Sequence, residues 1–179
     1  AIFGAPILTK GKSWLPVTQG LVTVIMTFVW RNQHPNRPWY KQLLAGFLSM
    51  VFMLGSEWGH NLAHTYMADK VGKPPDAIKV VFGMPLLHYE RTQDDEVSPN
   101  QHILRAIGGP VFNTLIIPFA WLFRAFTWAG SVLRDAANAF LGMNVFLALI
   151  SLLPIPGIDG GPILKWSLVR KGKSREEAD

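Results

Sequence analysis

The stretch Gln42–Met67, QLLAGFLSMVFMLGSEWGHNLAHTYM, decides the fold. Apolar over most of its length, it exceeds the roughly 20 residues that a helix needs to cross a bilayer. Its second half nevertheless carries Glu57, His60, Asn61 and His64, and spacings of three and four put all of them along one helix face. Ionisable groups inside an apolar helix are costly, and they face a protein interior where they do work. The stretch therefore reads as a membrane helix whose polar face can hold one metal ion.

Outward from it, three further apolar blocks complete an expected set of about four transmembrane helices, over residues 16–30, 42–67, 103–126 and 136–153 of one membrane domain spanning 1–179. The expected class is an all-α polytopic membrane protein. Between the blocks, Arg31 to Lys41 (RNQHPNRPWYK) is a polar turn with two prolines. Gly72 to Gln101 is longer, with a β-prone run Ala77 to Phe82 and an acidic patch at Asp94, Asp95 and Glu96. Charged residues are only 16% of the chain and hydrophobic ones 49%, against about 25% charged in a soluble domain. That composition excludes a disordered, solvated chain. The net charge of +5 is small and scattered, so no nucleic-acid partner is expected. Without cysteine, any metal must take His, Asp or Glu.

Lys and Arg near helix ends prefer the cytoplasmic side. With four spans, Lys10, Lys12, Lys70, Lys73 and the basic tail from Lys165 to Arg175 share one face, and Arg31, Arg37, Lys41 and Arg134 the other. The bias predicts both termini in the cytoplasm, in an inner membrane of prokaryotic type. Ala1 to Leu15 lacks the apolar core and cleavage site of a signal peptide.

The last apolar block ends in SLLPIPGIDGG, where Pro154 and Pro156 stop the helix and place Asp159 just beyond it. The second and fourth spans both run toward the cytoplasm, so His60, His64 or Glu57 can converge with Asp159 in the cytoplasmic leaflet. Two imidazoles and a carboxylate with an open fourth position make a catalytic zinc arrangement. Two other readings compete: histidines as polar glue between helices, and axial haem ligation by His60, His64 or His102. Gly55 and Gly59 form a small-xxx-small pair under any of them. Arg105 and Arg124, near helix ends, are expected to snorkel, and His34 and His88 to be solvated.

Five stretches, in order, resemble the site-2 protease family of intramembrane zinc metalloproteases. IFGAPILTKGKSWLP resembles its amino-terminal strand, SEWGHNLAHTYMADKVG its HExxH helix, and AIKVVFGMP the strand and membrane-associated loop that follow. SPNQHILRAIGGPVFNTLI resembles the Gly-Pro-x-x-Asn helix through Gly109, Pro110 and Asn113. NVFLALISLLPIPGIDGGPIL resembles the Asn-x-x-Pro-x-Pro-x-x-Asp-Gly motif through Pro154, Pro156, Asp159 and Gly160. The resemblance implies short β-strands near the N-terminus and after the second helix. It implies Glu57 as general base, His60 and Asp159 as zinc ligands, and Ser151, Asn144 and Pro154 beside the substrate.

Two positions depart from the pattern: Ser56 stands at the first zinc-ligand position, and Ser151 where the second motif has Asn. A serine hydroxyl is a poor zinc ligand beside an imidazole. The expectation is thus a catalytically degenerate member, a pseudoprotease holding no zinc or binding it weakly. It would contact lipid and transmembrane helices of other proteins, as a binding or structural subunit of a membrane complex. The alternative is an active protease with His60, His64 and Asp159 as ligands and Glu57 as base. In that version His64 replaces the ligand lost at Ser56.

Overall fold

The computed structural model describes residues 1–89 and 97–178. Strand β1 (Ile7–Leu8) precedes helices α1 (Val17–Gln33) and α2 (Trp39–Lys70). Strands β2 (Ala77–Val81) and β3 (Met84–His88) lead to α3 (Pro99–Ala125), α4 (Val132–Ile150), α5 (Gly160–Arg170) and the short α6 (Arg175–Ala178). The acidic patch at Asp94, Asp95 and Glu96 lies outside the described residues.

Local chemistry sets the boundaries. Pro38, with an extended ψ of 141°, opens α2. Ser98 and Gln101 form a reciprocal capping box at the start of α3, with Pro99 in its first turn. Ser131 caps α4 by accepting from the Arg134 N–H. Phe82 and Gly83, both at positive φ (51° and 88°), make the two-residue turn of the β2–β3 hairpin. Its antiparallel register runs from Ala77 opposite His88 to Val81 opposite Met84, and β1 adds in parallel on the other edge of β2.

Helix α2 is the hub, packing against α1, α3 and α4. Small residues bring the axes together: a Cβ on Gly108 would lie 2.7 Å from the Ala63 carbonyl oxygen, and one on Gly59 would overlap the Phe112 ring. The interior is small and polar, with Ser49, Thr65, Asn113, Asp135 and Asn144 at no more than 1% exposure. The outer faces carry large apolar groups such as Leu21 and Phe28 of α1, Leu115 and Phe119 of α3, and Leu149 of α4. This distribution is the reverse of a soluble core and suits a hydrocarbon surround, in which bulky apolar side chains cost nothing when exposed. Among the described residues, two helices, α3 and α4, are long and apolar enough to cross a membrane.

Candidate metal centre

On α2, His60 and His64 sit four apart, and their rings meet edge to face at 4.6 Å between centroids. The chain leaving α4 turns back to meet them. Pro154 and Pro156 keep it from continuing as helix, and the Gly160 N–H donates to the Ser151 carbonyl at 2.7 Å. A side chain at 160 would overlap the Leu152 and Leu153 carbonyls, so glycine permits this close return. Asp159 is thereby carried to the histidines: its Oδ2 lies 3.2 Å from His60 Nε2 and its Oδ1 3.2 Å from His64 Nε2. The two Nε2 atoms are 3.0 Å apart.

Both imidazoles are oriented from behind. His60 Nδ1 lies 2.5 Å from Asn113 Oδ1, and His64 Nδ1 2.8 Å from the Arg105 carbonyl oxygen. An oxygen of either kind only accepts, so each Nδ1 carries the proton and donates it. The Gly109 N–H also points at His64 Nδ1, but at 3.3 Å it is the weaker contact. Each Nε2 is thereby the nitrogen left for a metal, facing the same point as the Asp159 carboxylate. A cation relieves that convergence: three tetrahedral zinc ligands at about 2.0–2.1 Å from the metal stand about 3.3 Å from one another. Two neutral imidazoles fixed through Nδ1–H and one carboxylate fit zinc in donor type, spacing and outer-shell support. The same focus on one small ion disfavours axial ligation of a macrocycle.

Room for this arrangement comes from α3. Gly109 lies directly over the two rings, and a Cβ there would collide with both. In the next position Pro110 cannot donate to the carbonyl four residues back, which loosens the helix beside Arg105.

An open cavity lies beside the triad, bordered by Glu57, Asn61, Tyr89, Arg105 and Trp166. The Glu57 Oε1 accepts from Asn61 Nδ2 at 3.2 Å. Ser56 faces elsewhere: its hydroxyl donates to the Phe52 carbonyl at 2.9 Å and accepts from Asn144 Nδ2 at 2.8 Å. Asn144 is fully buried, Ser151 is buried with a hydroxyl that has no hydrogen-bond partner, and Pro154 is exposed. None of these three borders the cavity. His102 stacks on Trp166 at 3.8 Å with the rings parallel.

Arg105 corrects the snorkelling expectation, for it is only 8% exposed and lies over the Tyr89 ring at 3.8 Å. His34 is likewise engaged, with Nε2 3.3 Å from Asp135 Oδ1. The sequence places Asn61 on the polar face, but reading the helix in the Ser56-based register hides its position directly after the first histidine ligand. In His60-Asn61-Leu62-Ala63-His64 the two histidines have the spacing of an H-E-x-x-H zinc helix, with an amide where the glutamate stands. That signal was legible beside the Ser56-based register.

No family model matches the chain. A protein of Methanocaldococcus jannaschii named as a zinc metalloprotease is 26% identical over 132 residues, covering 73% of this chain and 54% of its own length. The chain thus spans about half the length of the curated relative it matches. The solved structure of a site-2 protease from Methanocaldococcus jannaschii superimposes with a TM-score of 0.56 at 16% identity, over 99% of this chain and 73% of that one. The two findings support a site-2 protease family relationship and, with the apolar helices α3 and α4, a membrane protein.

Proposed function

We propose that this chain is the membrane core of an intramembrane zinc metalloprotease with a displaced ligand set: His60, His64 and Asp159 hold the metal and Glu57 is the general base. The observation that carries this reading is the convergence of two Nε2 atoms and a carboxylate within 3.2 Å of one another. Zinc supplies Lewis acidity there, polarising a peptide carbonyl and making water more acidic. Glu57 borders the same cavity one helical turn before His60, placed to take a proton from water on one carboxylate oxygen and pass it to the leaving amine. The Asn61 amide, which has no acid–base chemistry near neutral pH, steers that carboxylate by donating to Oε1. Four spans, α1 to α4, with both termini cytoplasmic in a prokaryotic-type inner membrane, place the cavity within reach of transmembrane helices of other proteins.

A second reading is favoured by Asn61 itself. With an amide directly after His60, the zinc helix lacks a carboxylate at the usual base position. A metal-holding pseudoprotease would then bind membrane helices as a subunit of a complex. Metal content and cleavage of transmembrane substrates, measured on detergent-purified protein, separate the two. The first reading expects about one zinc per chain, lost in His64→Ala, and cleavage lost in Glu57→Gln while zinc stays. Zinc without cleavage of any membrane substrate tried selects the second reading. A wild-type protein free of zinc under saturating metal overturns both.

A further inference from the structure

We propose that Ser56, Asn113 and Asn144 form a directed hydrogen-bond chain that fixes the His60 proton on Nδ1 and so reserves Nε2 for the metal. The inference rests on the metal-site reading above for its purpose, though not for its geometry.

The direction of the chain is set at its far end. The Ser56 hydroxyl proton goes to the Phe52 carbonyl at 2.9 Å, which leaves the oxygen as an acceptor. Asn144 Nδ2 faces that oxygen at 2.8 Å and the Phe140 carbonyl at 2.8 Å. Two acceptors at one end force the Asn144 amide to present its NH2 group there and its Oδ1 at the other end. That Oδ1 accepts from Asn113 Nδ2 at 2.8 Å, so Asn113 in turn presents Oδ1 to His60 Nδ1 at 2.5 Å. Reversing either amide would set oxygen against oxygen or N–H against N–H. Ser56, His60, Asn113 and Asn144 are all at most 7% exposed, so water has little access to repair such a mismatch.

The chain crosses α2, α3 and α4, and so converts the packing of three helices into the tautomer of one imidazole. It also gives Ser56 a purpose. Lying outside the His60–His64 ligand pair, Ser56 is the acceptor that terminates the chain. Asn113 and Asn144 are accordingly positioning residues, and neither borders the metal cavity.

Two measurements on the full chain in detergent test the proposal. Nitrogen-15 NMR of histidine-labelled, zinc-stripped protein reads the His60 tautomer, and competition titration reads zinc affinity. The wild type should carry a proton on His60 Nδ1. Asn113→Leu and Asn144→Leu, close in shape and unable to hydrogen-bond, should give mixed tautomers and zinc affinity about 10- to 100-fold lower, the usual range for outer-shell loss. Ser56→Ala, which removes a single oxygen and spares the packing, should shift both readouts the same way by less, with Ser56→Thr restoring them. A wild-type His60 with no proton on Nδ1, or folded variants with unchanged tautomer and affinity, overturns the proposal. Wild type that binds no zinc but shows the Nδ1–H tautomer, scrambled in the variants, upholds the chain and sinks the metal reading alone.

Discussion

At the scale of the residue, the site depends on an atom that is missing. Gly109 faces the two imidazoles across the α2–α3 contact, and each ring is held at Nδ1, by Asn113 Oδ1 or by the Arg105 carbonyl. Neither ring can swing clear of an added methyl without breaking that bond. Alanine is otherwise the better helix former by about 1 kcal/mol. Gly109→Ala should therefore fold with an unfolding temperature near that of the wild type yet bind zinc at least tenfold more weakly; a titration that leaves affinity intact would show that the rings do not occupy this space. Ser56→His makes the complementary case. Position 56 is 2% exposed and its hydroxyl is committed on both sides, so an imidazole there overpacks the interior, at a typical cost of about 1–3 kcal/mol, and cuts the chain to Asn113. The variant should unfold at lower temperature and hold no more zinc than the wild type, as metal analysis would show.

At the scale of the element, one ion pair ties together the two loops at the far end of the bundle. Asp135, in the first turn of α4 and 1% exposed, accepts from Arg37 and faces His34, and Arg37 also donates to the Gly130 carbonyl at 2.8 Å. His60 lies 21 residues beyond the start of α2 at Trp39, about 31 Å along the helix at 1.5 Å per residue. Arg37→Ala leaves a buried carboxylate without its main partner, a loss of about 3–5 kcal/mol. Adding Asp135→Asn should recover most of that, with zinc affinity of the folded protein unchanged throughout; chemical unfolding in detergent checks the first claim and metal titration the second. No sequence pattern announced this pair, because its members are 98 positions apart and only helix packing joins them. The elements themselves were more legible. The four apolar blocks fall on helices α1 to α4, and i, i+4 spacing marks His60 and His64. Strand β3 was not legible, since MPLLH contains Pro85 and no alternation, and its pairing with Ala77–Val81 defines it. The partners behind the histidines were equally hidden. Asn113 lies on a quoted motif, but its contact with His60 depends on how α3 crosses α2, and periodicity within one helix does not encode that crossing.

At the scale of the whole molecule, the arrangement of side chains argues for more spans than hydropathy alone marks. Helix α2 is 32 residues long, and Glu57, His60, Asn61 and His64 lower its average apolarity, yet all four face a cavity inside the bundle. Around it Leu43, Leu44, Phe47 and Val51 are exposed, as are Leu21, Val24, Ile25 and Phe28 on α1. A continuous apolar exterior of this extent in water is an aggregation surface, and in a bilayer it is the ordinary lipid contact. The proposed four crossings would put the turn between α1 and α2 on the same side as the turn between α3 and α4, consistent with the Arg37–Asp135 pair that joins them. The basic tail falls on the opposite side, which the charge rule assigns to the cytoplasm. The absence of cysteine makes this directly measurable, because any introduced thiol is unique. In intact cells a membrane-impermeant maleimide should label Asn36→Cys and Ala129→Cys, whereas Ser174→Cys should react only after permeabilisation. Asn36 and Ala129 reacting from different sides would break the four-span topology. All three reversed together would keep the topology and invert the protein, and the metal cavity would then open toward the other face of the membrane.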